Sequence, residues 1–588
     1  MSFNSILDRF DKIVNLYPEK VAIKDNGTIL TYLEVKRKAE SISISLALNN
    51  IKKGDIVGID IDRSLATILT IIGVLKTGAI YVCISEENRK NIVSHTLPKI
   101  IIYDKSDKLH KYYENNYNIS FIPYQLLDEK QNVEKYIKPS IAPADSAFII
   151  FTSGSTGNPK GVISTHENLS WYVYALNKRL KITQQDIYLH SASMNFSSSN
   201  RQLFLPLSIG ASIYLLSEEE RNNPLKCLEV IQLHKLTIVD FTPSYASIIA
   251  DIMESIPDDK RGKYLKNNIR LFLFASEDLT PKLLERILKL FSSSIIYINM
   301  YGMTETTGIV ATYKIPHTSN NEEMRLIPIG TPLEGVKLVI KNKTNNTGVL
   351  QISGKTLSKG YLEKNRSGNI SIVDYPNKCI DTGDTVFFDK KKGYYKIGRF
   401  DHIFKINGIK IAPYEIDSEI ENIENITKAV TICKNINNEK RLITFYTTNN
   451  GKSIERDSII LSLKRQLPTY KIPTSFIHLN KLPLLCNGKI DYTSLYNREH
   501  IRISEGSQVF EDDNIVNALK EIWEDILSTK IKSSRIDYFE LGGNSLSILK
   551  MIGLIYEKLE VEISIIDIFT HSTIKKLAKL IKQKKETK

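Results

Sequence analysis

Between Asn514 and Leu580 the apolar residues return again and again at helical spacing, and this periodicity constrains the fold of the chain more than any other feature. Ile515, Leu519, Ile522, Trp523 and Ile526 make one apolar face over Asn514–Leu527. The pattern predicts a second helix from near Ser545, with Leu546, Leu549, Ile552 and Leu554. A short Ile565–Phe569 segment follows, then a last helix from Thr573 through Leu577 and Leu580. Four helices in about 75 residues make a small bundle. Ahead of the second helix Gly542 and Gly543 open a turn, and Ser545 then presents a hydroxyl at a helix N-terminus, a place that favours an incoming phosphate. An ordinary N-cap serine after a glycine turn is the plainer alternative. The lysine-rich tail, Lys575 to Lys588, reads as a solvated helix face.

At 588 residues with 42% apolar content, the whole chain is expected to hold several globular domains. The net charge of +13 does not point to nucleic acid, because Lys, Ile and Asn are used along the full length and no basic arm dominates. Met1 to Asn15 alternates apolar with polar and charged residues, unlike a signal peptide. No apolar run approaches the roughly 18 residues of a membrane span. Cys83, Cys227, Cys379, Cys433 and Cys486 are scattered and lack metal spacing, so they read as reduced thiols of a cytoplasmic protein.

A second signal lies upstream. An apolar run, Ala147 to Phe151, reads as a buried strand and leads into Thr152-Ser153-Gly154-Ser155-Thr156-Gly157-Asn158-Pro159-Lys160-Gly161. Alternating glycines and hydroxyls give a loop whose backbone N–H groups and side chains can wrap phosphate oxygens, with Lys160 adding positive charge. It is not a P-loop, because Lys160 is followed by neither Ser nor Thr and the glycine spacing differs. Taken alone, a merely flexible Ser/Gly loop is the other reading.

These motifs resemble two known elements. Asp537-Tyr538-Phe539 with Leu541-Gly542-Gly543-Asn544-Ser545-Leu546 is similar to the site where acyl or peptidyl carrier proteins receive a phosphopantetheine arm on serine. The T-S-G-S-T-G-x-P-K-G loop resembles the phosphate loop of the adenylate-forming superfamily, which includes nonribosomal peptide synthetase adenylation domains. Further blocks follow in that family's order: Leu30-Thr31-Tyr32, Leu75 to Val82, Asn299-Met300-Tyr301-Gly302-Met303-Thr304-Glu305, Thr382-Gly383-Asp384, Gly398-Arg399-Phe400-Asp401, Lys405-Ile406-Asn407-Gly408, Glu415-Ile416, Leu467 to Pro473 and Asn487-Gly488-Lys489-Ile490-Asp491. Met303 stands where the family has proline, and Val349 where it has glutamate.

The resemblance implies an α/β and α+β multidomain chain: a large N-terminal domain, a small C-terminal lobe and a four-helix carrier. It places the large part of the adenylation domain at 1–400, the small part at 401–497, a linker at 498–510 and the carrier at 511–588. It implies activation of a carboxylic acid by ATP to an acyl-adenylate, then transfer to phosphopantetheine on Ser545. Such chemistry brings two anions together, so positive charge is needed where they meet. By resemblance, Lys489 bridges the carboxylate and the α-phosphate, and Glu305, beside Thr304, holds Mg²⁺. Thr152, Ser153, Gly154, Ser155, Thr156, Gly157 and Lys160 would surround the phosphates; Tyr301 would lie on the adenine, Asp384 and Arg399 would serve the ribose, and Asn299 and Gly302 would belong to the same nucleotide site. Asp401 falls at the hinge about which the small lobe turns, exchanging Lys489 for the Lys405 segment between the two half-reactions.

Family members that take α-amino acids carry an aspartate which pairs with the substrate's ammonium; Ser197 stands at that position. Burying an ammonium without its partner charge costs about 3–5 kcal/mol. Either the acid lacks an α-amino group or another carboxylate has taken the role. The other positions matching the pocket are Ser198, Arg201, Asp240, Leu273, Ala275, Met300, Gly308 and Ile309. Asp240 is the only acid among them and Arg201 the only base, so they either pair or grip a polar end of the substrate. The favoured substrate is a carboxylic acid without an α-amine. An amino acid anchored by Asp240 is one alternative, and an acyl-CoA synthetase-like ligase is another, although a tethered thiol would outcompete free coenzyme A. A degenerate scaffold is the reading from a different class, and Lys489, Glu305, Asp384, Arg399 and Ser545 together speak against it. Expected partners are a phosphopantetheinyl transferase and separate downstream or tailoring enzymes that dock on the carrier, with neither nucleic acid nor membrane.

Overall fold

The computed structural model describes residues 4–25, 27–85, 89–105, 119–127, 139–152, 160–316, 326–344, 346–364, 370–399, 404–406, 409–411, 413–436, 439–464, 466–467, 471–473, 475–484, 490–497, 513–527, 530–531, 533–534, 538, 541 and 545–586. They fall into two compact units, Met1–Lys396 and Ile397–Lys588.

In the first unit, short and almost wholly apolar segments become strands that are covered on both faces. Ile80–Cys83, Ile238–Phe241 and Leu271–Phe274 are buried at every position, as parallel strands between layers of helices must be. The larger described sheet runs Thr331–Pro332, Gly308–Ile315, Ile296–Met303, Leu271–Phe274, Ile238–Phe241, Ile187–His190, Ser212–Leu215, Val21–Lys24, Ile29–Thr31. The stretch from Ile296–Met303 to Val21–Lys24 is parallel, and the strands flanking it are antiparallel. A second sheet runs Ile370–Asp374, Gly360–Lys364, Lys160–Thr165, Ser146–Thr152, Ile80–Cys83, Ile56–Asp60, Ile100–Tyr103, Ser120–Pro123. A third, antiparallel, comprises Val336–Thr344, Thr347–Gly354, Cys379–Asp389 and Gly393–Arg399.

Helices enter the unit through local capping. Ser5 with Asp8, Thr31 with Glu34, Thr165 with Asn168 and Ser217 with Glu220 each form a reciprocal capping box, which satisfies amides that the first turn leaves without helical partners. The first of these helices, Ile6–Leu16, buries Ile6, Leu7, Phe10 and Val14 in the largest core of the unit. The mixture of apolar and charged residues near the N-terminus is thus the pattern of an amphipathic helix.

The second unit contains two kinds of layer. A three-stranded described sheet, Ile426–Ile436, Glu439–Thr448 and Ser475–His478, packs with helices Pro413–Glu421 and Arg456–Lys464 through Ile416, Ile420, Ile459 and Leu463. Helices Asn514–Leu527, Ser545–Leu559, Ile565–Thr570 and Ile574–Glu586 enclose a separate apolar core. There Trp523 and Tyr538 meet edge to face, with centroids 4.8 Å apart, and Leu519, Ile522, Met551, Ile555, Leu577 and Ile581 surround them. The last helix turns Ile574, Leu577, Ala578 and Ile581 inward and leaves Lys575, Lys576, Lys579 and Lys582 exposed. The basic tail is therefore a solvated face, as its spacing suggested.

Among the described residues no helix is long and apolar enough to cross a membrane, and no group of His, Cys, Asp and Glu has metal-binding geometry. Cys83, Cys227, Cys379 and Cys433 are free thiols, and Cys486 lies outside the described residues.

Candidate functional site

Strands Ser146–Thr152 and Lys160–Thr165 pair antiparallel, with Thr152 opposite Lys160. The glycine- and hydroxyl-rich segment therefore springs from two fixed ends, although Ser153, Gly154, Ser155, Thr156 and Gly157 themselves lie outside the described residues. The Lys160 ammonium sits 5.3 Å from the centre of the Tyr361 ring. Tyr361 comes from Gly360–Lys364, the strand paired with Lys160–Thr165 on its other side. Its hydroxyl donates to Glu305 Oε1 at 3.2 Å, and burial, with the Glu305 charge behind it, pushes the phenol far above its ordinary range. Thr304 and Glu305 form a short 3-10 turn after strand Ile296–Met303. That turn is anchored by the Ser358 amide donating to the Glu305 carbonyl at 2.9 Å. Lys160, Tyr361 and Glu305 are thus brought together from three chain segments.

Beside them lies a second carboxylate. Tyr301 donates through its hydroxyl to Asp384 Oδ2 at 2.5 Å. The other oxygen, Asp384 Oδ1, is buried without a hydrogen-bond partner. Lys396 Nζ stands 3.6 Å away, within ion-pair range but short of a hydrogen bond, and is bonded instead to Asp278 at 2.9 Å. Burial and then the Asp384 charge raise the Tyr301 phenol well above its usual value, so it stays a donor. Gly302 is a steric necessity: a methyl group there would lie 2.1 Å from the Gly308 carbonyl oxygen. The Asn299 side-chain amide donates to the Pro328 carbonyl at 2.8 Å and so ties its strand to the segment before Thr331–Pro332.

These residues suit the groups the chemistry calls for. An orphaned, buried carboxylate oxygen accepts the hydroxyl of a ribose, since a buried acceptor left empty costs about 1–3 kcal/mol. One carboxylate, Glu305, suits Mg²⁺, which takes one or two protein carboxylates together with phosphate oxygens and water.

Several residues expected to line the acid pocket lie toward the carboxyl ends of the parallel strands, where open α/β sheets place ligands. Helix Ser197–Leu207 starts at Ser197 without a side-chain cap, and Arg201 follows one turn later on the same face. Asp240 lies in Ile238–Phe241, in register with Leu273 of the next strand. Arg201 grips Asp240 with two parallel hydrogen bonds, Nε to Oδ2 at 2.7 Å and Nη2 to Oδ1 at 3.0 Å. Their side chains are 3% and 2% exposed. The Tyr188 hydroxyl donates to Asp240 Oδ2 at 2.9 Å, and Gln202 Nε2 reaches the Asp240 carbonyl at 3.3 Å. Burial works against the guanidinium charge, but Asp240, Tyr172 and Tyr188 together outweigh it and raise the Arg201 pKa further. The only acid and the only base of the expected pocket therefore satisfy each other.

Gly308, Ile309 and Met300 come from the antiparallel strands Ile296–Met303 and Gly308–Ile315, where Gly302 faces Ile309. Leu273, Ala275, Met300 and Ile309 are buried, while Ser197 and Ser198 are partly accessible. Tyr361, Tyr188 and Tyr172 were not singled out from the sequence. Each reaches the site from a neighbouring strand or helix, and none carries a local motif.

Arg399, Lys405 and Ser545 lie on described backbone without described side chains, and Asp401 and Lys489 lie outside the described residues. Ser545 is the first residue of helix Ser545–Leu559, the position its glycine turn predicted.

Comparison with known proteins follows these lines. The AMP-binding enzyme profile matches residues 10–362, and the phosphopantetheine attachment site profile matches residues 517–581, which include Ser545. Bacitracin synthase 2 of Bacillus licheniformis is 27% identical over 99% of this chain and 22% of its own length. Bacitracin synthase 1 of the same organism is 29% identical over 96% of this chain and 11% of its own. The chain thus spans less than a quarter of the length of either of these curated relatives. Among solved structures, the McyG A-PCP complex with phenylalanyl-adenylate superposes with a TM-score of 0.77 at 19% identity, covering 99% of this chain and 98% of that one. Holo-AB3403, a four-domain nonribosomal peptide synthetase bound to AMP and glycine, gives 0.71 at 23% identity, covering 99% of this chain and 43% of its own.

Proposed function

The chain belongs to the AMP-binding, adenylate-forming enzyme family and carries a phosphopantetheine attachment domain behind it, and we propose that it activates a carboxylic acid lacking an α-amine and loads it onto its own carrier. The observation that carries the loading role is the presence of both matched segments in one chain, 10–362 and 517–581. In this reading residues 1–400 and 401–497 are the two parts of the adenylation domain, 498–510 the linker and 511–588 the carrier.

The chemistry runs in two steps. A carboxylate oxygen attacks the α-phosphorus of ATP, the bond to the β-phosphate bridge breaks, and pyrophosphate leaves. Lys160 and Lys489 offset the negative charge gathered there, Glu305 is the ligand for Mg²⁺, and Tyr301 and Asp384 orient the nucleoside. Mg²⁺ supplies charge neutralisation on the phosphates, and phosphopantetheine, once attached to Ser545, supplies the accepting thiol. Lys405 and the hinge at Asp401 belong to the second step, in which the acyl–phosphate bond breaks and AMP departs.

What supports a substrate without an α-amine is the state of the pocket charges. Ser197 offers no carboxylate, and both oxygens of Asp240 already accept from Arg201, one of them from Tyr188 as well. An ammonium entering here finds no uncommitted negative charge, which argues against Asp240 as a displaced anchor. Loading in this reading requires a phosphopantetheinyl transferase to act on Ser545 first.

The test is intact-protein mass spectrometry after treatment with a phosphopantetheinyl transferase and coenzyme A, then ATP, Mg²⁺ and acids pooled by class. The expected result is a phosphopantetheine increment on Ser545 followed by a further increment from an acid without an α-amine. Loading by ordinary α-amino acids alone would overturn the substrate reading, and an unmodified carrier would overturn the loading role.

A further inference from the structure

Asp384 and Lys396 stand on neighbouring strands, Cys379–Asp389 and Gly393–Arg399. Asp389 fixes the turn between them by accepting from the Lys391 and Lys392 amides at 2.8 and 2.7 Å. Lys396 Nζ also donates to both oxygens of Asp278 at 2.9 Å. Asp278 comes from the loop that follows strand Leu271–Phe274, and that loop is held in an uncommon shape. Ser276 adopts a φ of 76°, a left-handed conformation that costs a residue with a side chain about 1–2 kcal/mol. Next to it, Glu277 accepts from the Ser244 amide at 2.9 Å. Backbone strain of this kind persists where the surroundings over-determine it, and it gathers at ligand sites.

The ammonium therefore bridges an outer carboxylate and an inner one: the Asp278 side chain is 50% exposed, Lys396 18% and Asp384 9%. Solvent reaches the pair from the Asp278 side. A cation between two carboxylates offsets their mutual repulsion, and here it also restrains the inner one. The terminal torsion of an aspartate is soft, so a carboxylate held at one oxygen alone is poorly fixed. Tyr301 holds Asp384 Oδ2 at 2.5 Å, while Lys396 Nζ, 3.6 Å from Oδ1, draws the second oxygen without forming a hydrogen bond to it. We propose that Lys396, clamped by Asp278, is a positioning residue of the nucleoside site. It fixes the Asp384 carboxylate so that Oδ1 accepts a ribose hydroxyl, and it thereby sets a preference for ribonucleotides over deoxynucleotides. The inference rests on the adenylation reading above and deepens it by assigning nucleotide selectivity to a lysine–aspartate pair outside the motifs.

The experiment is isothermal titration of the full chain with AMP, 2′-deoxy-AMP and 3′-deoxy-AMP, which does not depend on the identity of the acid. The intact protein should bind AMP at least about ten-fold more tightly than one of the deoxy forms, the span of one hydrogen bond to a charged group. Lys396→Met should weaken AMP binding by about ten-fold and bring that ratio within about two-fold of unity. Asp278→Asn loosens the clamp with the ammonium still present, and should reduce the ratio several-fold. Because Asp278 is half exposed, this variant carries the test if Lys396→Met does not unfold cooperatively. The double variant Lys396→Met, Asp278→Asn restores the local net charge without restoring the clamp, so its ratio should stay lost. Recovery of the ratio in the double variant would assign the effect to net charge and overturn the proposal. An unaltered ratio in Lys396→Met, or an intact protein that binds the three nucleotides equally, also overturns it, with the adenylation reading intact. No binding of AMP, together with no ATP–pyrophosphate exchange for any class of acid, overturns that reading and the inference with it.

Discussion

Arg201 and Asp240 form a two-pronged ion pair at 2.7 and 3.0 Å between helix Ser197–Leu207 and the large sheet, with Tyr188 as a third donor to the same carboxylate. Such a pair is costly to break and cheap to replace, because removing one partner strands a buried charge whereas removing both strands none. Asp240→Asn or Arg201→Met should each destabilise the first unit by about 3–5 kcal/mol. The triple variant Arg201→Met, Asp240→Leu, Tyr188→Phe, which also removes the Tyr188 donor, should recover most of that loss. Denaturant unfolding of the four proteins checks this. A triple variant no more stable than either single one would mean that the pair does more than satisfy itself.

Ser197 begins its helix with no side-chain cap, and Arg201, one turn on, is already engaged by Asp240. Ser197→Asp therefore places an uncommitted carboxylate at the pocket mouth, with the helix N-terminus to favour it. Exchange with ordinary α-amino acids should rise by at least about ten-fold, the discrimination expected of one recovered charge pair in a partly solvated site. No gain would assign the exclusion of amino acids to pocket shape.

The hydrogen bond from Tyr361 to Glu305 orients the carboxylate proposed for Mg²⁺. Bonds to charged acceptors contribute about 1.5–3 kcal/mol. Tyr361→Phe keeps the ring beside Lys160 and removes only that bond. The Mg²⁺ concentration giving half-maximal pyrophosphate exchange should rise several-fold, with the acid's KM little changed, and Glu305→Gln should raise it further. An unchanged Mg²⁺ titration would leave Tyr361 as packing.

How much of this was legible in advance depends on the distance over which the information is carried. The helix Asn514–Leu527 and the inward and outward faces of the lysine-rich tail follow from apolar spacing within a few turns, and both appear in the structure as read. The parallel strands Ile238–Phe241 and Leu271–Phe274 are uniformly apolar, so periodicity marks them as buried without saying which is neighbour to which. Whether Arg201 and Asp240 paired or faced substrate depended on the meeting of two residues 39 positions apart, which no local pattern encodes. Gly308 was placed among the pocket positions, whereas the space its missing side chain leaves is occupied by Tyr172. Tyr361 was hidden for the same reason: its partner Glu305 is 56 positions away.

His166 sets a pH limit on the first unit. It opens helix His166–Leu180, is fully buried, and neither ring nitrogen has a hydrogen-bond partner. Burial lowers its pKa from 6.5 to about 4, against a weaker opposing pull from Asp145. The unfolded chain therefore takes up the proton first, and stability that is complete above about pH 6.5 is lost as pH falls toward 4. The loss over that window is about 3 kcal/mol. Thermal unfolding of the intact protein and of His166→Phe between pH 4 and 7 checks it, and the variant should show a shallower decline on the acid side. Parallel curves for the two proteins would show that His166 does not govern the acid limb.

The two proposed half-reactions depend on different residues, so single substitutions should separate them. Lys489→Ala removes the cation placed between two anions in the first step. It should abolish pyrophosphate exchange, while phosphopantetheine is still added to Ser545, because that modification needs only the folded carrier helices around Trp523 and Tyr538. Ser545→Ala should behave in the opposite way: exchange at the wild-type rate, no phosphopantetheine increment and no acyl increment in the intact mass. Mixing the two variants after phosphopantetheinylation adds a third reading. The Ser545→Ala chain supplies the adenylate and the Lys489→Ala chain the thiol, so acylation of the latter measures transfer between chains. A rate far below that of the intact protein, rising in proportion to concentration, is expected if tethering sets the local thiol concentration near the millimolar range. A rate equal to the intact protein's at micromolar concentration would mean that the carrier is loaded no better by its own adenylation domain than by a neighbour's.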